Sequence, residues 1–141
     1  MKVICRINNL HNILDDVVKA VLKKKIFRSD GEIDIQLGKE YIVYGIVFWD
    51  NSPWYYLCTD ENDEYPKPYA ADLFSVSENR LSNYWRLSYC TNYNKSQVAS
   101  LVFEEWAKDR AFYERLIDGE AAEVEKFKEY KSLMDNENLE N

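Results

Sequence analysis

From Tyr41 to Phe48 the chain reads Tyr-Ile-Val-Tyr-Gly-Ile-Val-Phe without one charged residue. Successive side chains of a β-strand point to opposite faces, so a run that is apolar at every position has to be covered on both sides. The expectation is a single strand from Glu40 to Trp49, with one face lining a β core and a helix over the other. Gly45, in mid-run, predicts a bulge or sharp bend of the kind that small barrels use at corners.

The run opens an aromatic block: fourteen of the chain's twenty-one Phe, Trp and Tyr residues fall between Tyr41 and Tyr93. Asp50-Asn51-Ser52-Pro53 reads as a turn into Trp54–Thr59, an antiparallel partner strand in which Pro53 takes the first position. The acidic turn Asp60–Glu64 follows. The two prolines of Tyr65-Pro66-Lys67-Pro68-Tyr69 then forbid a regular helix or a central strand. Leu73, Phe74 and Val76 form a short apolar segment, and Glu78-Asn79-Arg80 a further turn. Trp85, Leu87 and Tyr89 alternate with Tyr84, Arg86 and Ser88, predicting a strand with one buried and one wetter face.

The flanks read differently. Val3, Cys5 and Ile7 alternate as in a short opening strand. Leu10, Ile13, Leu14, Val17, Val18, Val21 and Leu22 recur at three- and four-residue steps, predicting one apolar stripe on a helix of about four turns. Asn9 or Asn12 can cap it, and Lys23-Lys24-Lys25 suit the negative end of its dipole. Ser29-Asp30-Gly31-Glu32 and Gly38-Lys39 punctuate the chain before the apolar run. Beyond Asn94 the spacing of Val98, Leu101, Val102 and Trp106 predicts a helix. Phe112, Tyr113, Leu116 and Ile117 continue it or start another. Asp118-Gly119 breaks the pattern, Val124, Phe127, Tyr130 and Met134 mark a final helix, and Asp135–Asn141 reads as a frayed tail.

The expected organisation is one α+β domain over residues 1–141. It comprises a strand and helix at 1–28, a β core at 38–93, a helical segment at 95–134 and a tail at 135–141. The β core is a small bent antiparallel sheet or an SH3-like β-barrel, with an N-terminal helix and C-terminal helices around it. Met1–Arg6 lacks the apolar core of a secretory signal, and no apolar run nears the ~20 residues of a membrane span, so the cytoplasm is the expected compartment.

The net charge of −7 opposes nucleic-acid binding, which needs a cationic footprint. Residues 104–141 hold twelve Asp/Glu against six Lys/Arg, so a basic protein is the expected partner. Neither nucleic acid nor a membrane is expected. The single histidine, His11, excludes a two-histidine zinc site, and the four glycines assemble neither a dinucleotide turn nor a phosphate-binding loop. No cofactor is expected. Cys5, Cys58 and Cys90 are odd in number and without a C-x-x-C pair, which suits free thiols buried as small hydrophobes. Asp60–Glu64 fails as a calcium loop, because Tyr65 stands where the turn glycine is needed and Ala71 where the bidentate glutamate is.

The expected partner-binding set joins the acidic turn to the aromatics around it: Trp54, Tyr55, Asp60, Glu61, Asp63, Glu64, Tyr65 and Tyr69. Tyr and Trp supply anchors, and the carboxylates steer a cation. The competing reading makes those aromatics core and those acids turn caps. No catalytic residue stands out, so the chain is expected not to be an enzyme, with a carboxylate-dependent hydrolase or an aromatic peptide-binding face as alternatives.

The order of the opening strand, Gly38-Lys39-Glu40-Tyr41-Ile42-Val43-Tyr44, Tyr65-Pro66, Leu73-Phe74 and Tyr84-Trp85 resembles a group of small uncharacterised bacterial SH3-like barrel proteins. Similar acidic proteins occur among the immunity proteins of polymorphic or contact-dependent toxin systems. The likeness spans residues 38–90 and implies a non-catalytic protein that binds and occludes a basic toxin.

Overall fold

The computed structural model describes residues 1–25, 31–91 and 97–139. Ser29, Asp30, Tyr93 and the last two residues of the expected tail lie outside them. In chain order the elements are β1 (Lys2–Cys5), a 3₁₀ turn at Leu10–Asn12, α1 (Asp16–Lys25), β2 (Glu40–Ile42), β3 (Gly45–Trp49), β4 (Ser52–Leu57) and β5 (Lys67–Ala70). After a second 3₁₀ turn at Ala71–Leu73 come β6 (Phe74–Glu78), β7 (Trp85–Thr91), β8 (Gln97–Phe103), α2 (Glu104–Lys108), α3 (Phe112–Ile117) and α4 (Ala121–Leu139). The fold is α+β.

Two antiparallel sheets carry it, one ordered β2-β1-β6 and the other β5-β4-β3-β8-β7. Among the described residues these ladders do not close into a barrel. The apolar run belongs to both. It is two strands, not one: Val43 and Tyr44 carry the chain from the smaller sheet to the larger, the Val43 N–H donating to Met1 O and the Tyr44 N–H to Tyr56 O. Both residues are buried, which accounts for an apolar run without a wet face. A Cβ at Gly45 would lie 3.0 Å from Val102 Cγ1 and 3.3 Å from the Leu101 carbonyl oxygen, so the glycine admits β8 at close range. Burial ends before the run does, for Phe48 and Trp49 are exposed.

The β3–β4 hairpin turns through Asp50 and Asn51, at φ 51° and 65°. Two successive positive φ values match the right-handed twist of the flanking strands, and Asp and Asn tolerate them best after glycine. As the prolines require, β5 is an edge strand, with Pro68 opposite Tyr56.

Four further sequence expectations need correction. The N-terminal stripe is not one helix: the chain opens at residues 13–15, and Asp15 Oδ1 caps α1 by accepting from Val17 N and Val18 N. Among the described side chains of α1, Leu22 alone is fully buried; Leu14 is 97% exposed, and Val17 and Val21 are exposed too. Val98–Val102 is strand rather than helix, because β8 sits between β3 and β7. In β7 the face expected to be buried is exposed beyond Trp85, because nothing packs over Leu87 and Tyr89. Finally, residues 135–139 are not frayed: α4 runs to Leu139, and buried Asn138 accepts from the Met1 ammonium at 3.2 Å.

The aromatic block is mostly core. Tyr56 meets Trp106 and Tyr113 at ring separations of 4.7 and 5.1 Å, joining β4 to α2 and α3. Phe103 stacks on Tyr130 at 4.2 Å, which fastens β8 to α4. The Trp85 indole N–H donates to Tyr44 O, tying the edge strand to the bend between the sheets.

Candidate functional site

The bend at Tyr44 leaves a polar cleft of about 270 Å³ beneath it. Its walls are β2, the corner after β4 and the last turns of α4, contributing Lys39, Glu40, Tyr41 and Tyr44, then Cys58, Thr59, Asp60 and Glu61, then Lys131 and Asp135. Four carboxylates thus face two ammonium groups, and the cleft is net acidic.

The α4 side is fixed by one constellation. The Tyr44 hydroxyl donates to Asp135 Oδ1 at 2.6 Å, Lys131 Nζ donates to Asp135 Oδ2 at 3.0 Å, and the same Nζ lies 5.4 Å from the Tyr44 ring centre. Lys131 and Asp135 are one helical turn apart, so a single face of α4 presents both. Burial pushes the Tyr44 hydroxyl well above its ordinary range, and the Asp135 carboxylate that takes its hydrogen bond adds to this. Tyr44 is therefore a neutral donor. Burial likewise pushes the Cys58 thiol up to about 12, so it stays protonated at neutral pH and is no nucleophile there.

The corner side is held by its own acids. Asp63 Oδ2 accepts from Thr59 N at 3.0 Å, Thr59 Oγ1 at 3.4 Å and Asp60 N at 3.1 Å, while Asp60 Oδ1 accepts from Asn62 N at 2.8 Å. Such carboxylate-to-backbone bonds fix an Asx-type turn and point Glu61 outward. On β2, Glu40 accepts from Ser77 Oγ and faces Lys2 at 3.9 Å.

Of the eight residues expected to bind a partner, the structure gathers only Asp60 and Glu61 in this cleft. Asp63 is committed to the turn, and Glu64 is exposed and not part of the cleft's lining. Tyr55 and Tyr69 are buried opposite one another on β4 and β5, with Tyr55 edge-on to Phe74. Trp54 is buried against Trp49 and lines a separate apolar depression of about 210 Å³ with Val18 and Leu22 of α1. Tyr65 is half-buried, with Lys67 Nζ 6.0 Å from its ring. Trp54, Tyr55 and Tyr69 are thus part of the buried core.

Sequence reasoning missed Tyr44, Lys131 and Asp135. Lys131 and Asp135 at i and i+4 were a visible signal, but nothing local says that their turn of helix meets Tyr44. Among the described residues, no cluster of His, Cys, Asp and Glu is arranged to hold a metal ion, and no helix is long and apolar enough to cross a membrane. Compared with known proteins, the chain matches no family model, no curated protein and no solved structure.

Proposed function

We propose that this chain is a cytoplasmic, non-catalytic protein-binding protein that docks on a basic partner, in the manner of an immunity protein occluding a toxin. The observation that carries the reading is the acid-rimmed cleft. Glu61 and Asp60 stand at its mouth, and Asp135 lies inside, held by Tyr44 and Lys131. The cationic head of a partner's lysine or arginine fits among the carboxylates of such a site. The exposed Glu114, Asp118 and Glu125 of the C-terminal helices add long-range attraction. A core of the SH3-like barrel type is part of the same proposal, and the sharp passage between two antiparallel sheets supports it.

The test is a photocrosslinking amino acid in place of Glu61, used in native lysate. The crosslinked protein should be basic, and its association with purified protein should slow as the Debye length falls from ~10 Å at 0.1 M salt to ~3 Å at 1 M. The Asp60→Asn, Glu61→Gln, Glu64→Gln triple variant should fold normally and associate more slowly. Salt-independent association at the same rate for that variant would remove the electrostatic basis of the proposal.

A further inference from the structure

The two edges of the five-stranded sheet differ in chemistry. On β5, Pro68 presents no N–H, Lys67 is exposed, and the Tyr113 hydroxyl donates to Pro66 O at 2.5 Å. Proline and lysine are ordinary defences of an edge. β7 has neither, and along it Leu87 is 72% and Tyr89 69% exposed.

The ladder determines which backbone groups β7 leaves open. In a two-residue hairpin the residues flanking the turn, here Trp49 and Ser52, exchange hydrogen bonds. Alternation carried through the registers, Phe48 opposite Ala99 and Ser88 opposite Ser100, turns the even-numbered residues of β7 toward β8. The odd-numbered ones face outward. Accordingly Trp85 N–H donates to Ser82 O, while the Trp85 and Thr91 carbonyls accept from Arg86 and Arg110. Among the described residues nothing hydrogen-bonds the N–H and C=O groups of Leu87 and Tyr89.

We propose that β7 joins two copies of this chain, antiparallel and edge to edge, about a two-fold axis at Ser88. That register sets Leu87 opposite the second copy's Tyr89 and Tyr89 opposite its Leu87. Both are hydrogen-bonded pairs, so all four open groups of each copy are used. Directly opposed side chains share a face, so two leucines and two tyrosines meet in one apolar cluster. Arg86 falls opposite Cys90, and no like charges oppose each other across the strands. This self-complementarity in backbone groups and apolar contacts favours a second copy over an unrelated peptide. The net charge of −7 on each copy opposes association at long range, so salt should strengthen the dimer, the reverse of its effect on a basic partner.

Sedimentation equilibrium of the full chain over a wide concentration range tests this. A dimer that tightens with salt is expected, and Leu87→Lys should weaken it by at least an order of magnitude while leaving the far-ultraviolet circular dichroism unchanged. Ser88→Cys in a Cys90→Ser background should form an intermolecular disulfide on mild oxidation, because Ser88 meets its own copy at the close, non-hydrogen-bonded position. A monomer throughout, or a dimer indifferent to Leu87→Lys and without the Ser88→Cys crosslink, overturns the proposal. So does a monomer whose Leu87→Lys variant loses only the binding of another protein, since the edge then serves a foreign strand.

Discussion

Asp63 does the work of several residues at the corner after β4, because one oxygen of its carboxylate takes hydrogen bonds from Thr59 N, Thr59 Oγ1 and Asp60 N. Replacing it by alanine leaves those donors to water, and Asp63→Ala should cost about 1–2 kcal/mol in urea denaturation. Glu64→Ala, at an exposed neighbour, should stay within about 0.5 kcal/mol of the parent. The contrast shows how far a site is legible in sequence. The cluster Asp60–Glu64 was visible as acidic, but only the turn geometry divides it into acids that build the loop and Glu61, which faces outward. Trp54, Tyr55 and Tyr69 were equally visible as aromatics. Whether a strand's aromatics anchor a partner or fill a core depends on what lies across the sheet, and no local pattern records that.

At the scale of elements, the misreadings share one cause: the periodicity of a segment reports the surfaces around it, and these come from distant parts of the chain. Val102 and Phe103 are adjacent and both buried, Phe103 against Trp106 of α2, Phe112 of α3 and Tyr130 of α4, and Val102 beside Gly45 of β3. The alternation that identifies a strand is thereby erased, and the remaining three- and four-residue spacings imitate a helix. β7 kept its alternation, but its Leu87–Tyr89 face has no cover, so the pattern gave the right element and the wrong inside. By contrast, the Asp50-Asn51 turn, the proline-bearing edge at β5 and the helix stop at Gly119 (φ 77°) rest on backbone chemistry that is local, and they were legible. Gly45 was expected to mark a bulge or bend, but its ladder with β4 is regular and what it admits is the close approach of β8. Gly45→Ala should cost about 1–3 kcal/mol through overpacking. Val102→Ala introduced beside it should be less harmful than the sum of the two single changes, because Cγ1 of Val102 is the atom in the way. A denaturation double-mutant cycle reads that coupling; strict additivity would mean that the Leu101 carbonyl is the contact that matters.

For the whole molecule, burial of phenols sets a limit at high pH. Seven of the ten described tyrosines (Tyr41, Tyr44, Tyr55, Tyr56, Tyr69, Tyr113 and Tyr130) have hydroxyls raised above the ordinary value, in each case chiefly by burial. Tyr69 and Tyr130 are pushed up to about 12. A group whose folded pKa exceeds its unfolded one keeps its proton longer in the native state. Its contribution is complete below the unfolded value near 10 and is lost as pH rises through the folded value. The melting temperature should therefore fall steeply between about pH 10 and 12, and most tyrosinate absorbance should appear together with unfolding. A smooth titration near pH 10 with the fold intact would show that these rings are open to water.

The order of strands also dictates an order of assembly. β1 is synthesised first, yet it lies in the middle of its sheet, between β2 and β6, so it cannot settle until Glu78 has left the ribosome. The β3-β4-β5 meander needs only neighbouring residues and can form as it emerges. Its β3 edge then stays bare until β8, made some fifty residues later, slots in beside it. During that interval the nascent chain displays Ile46, Val47 and Phe48 on an unpaired strand, an invitation to aggregation that the finished protein has closed. A chain stopped before Phe103 would keep that invitation open, and chaperone capture should be heaviest on ribosomes paused within that stretch.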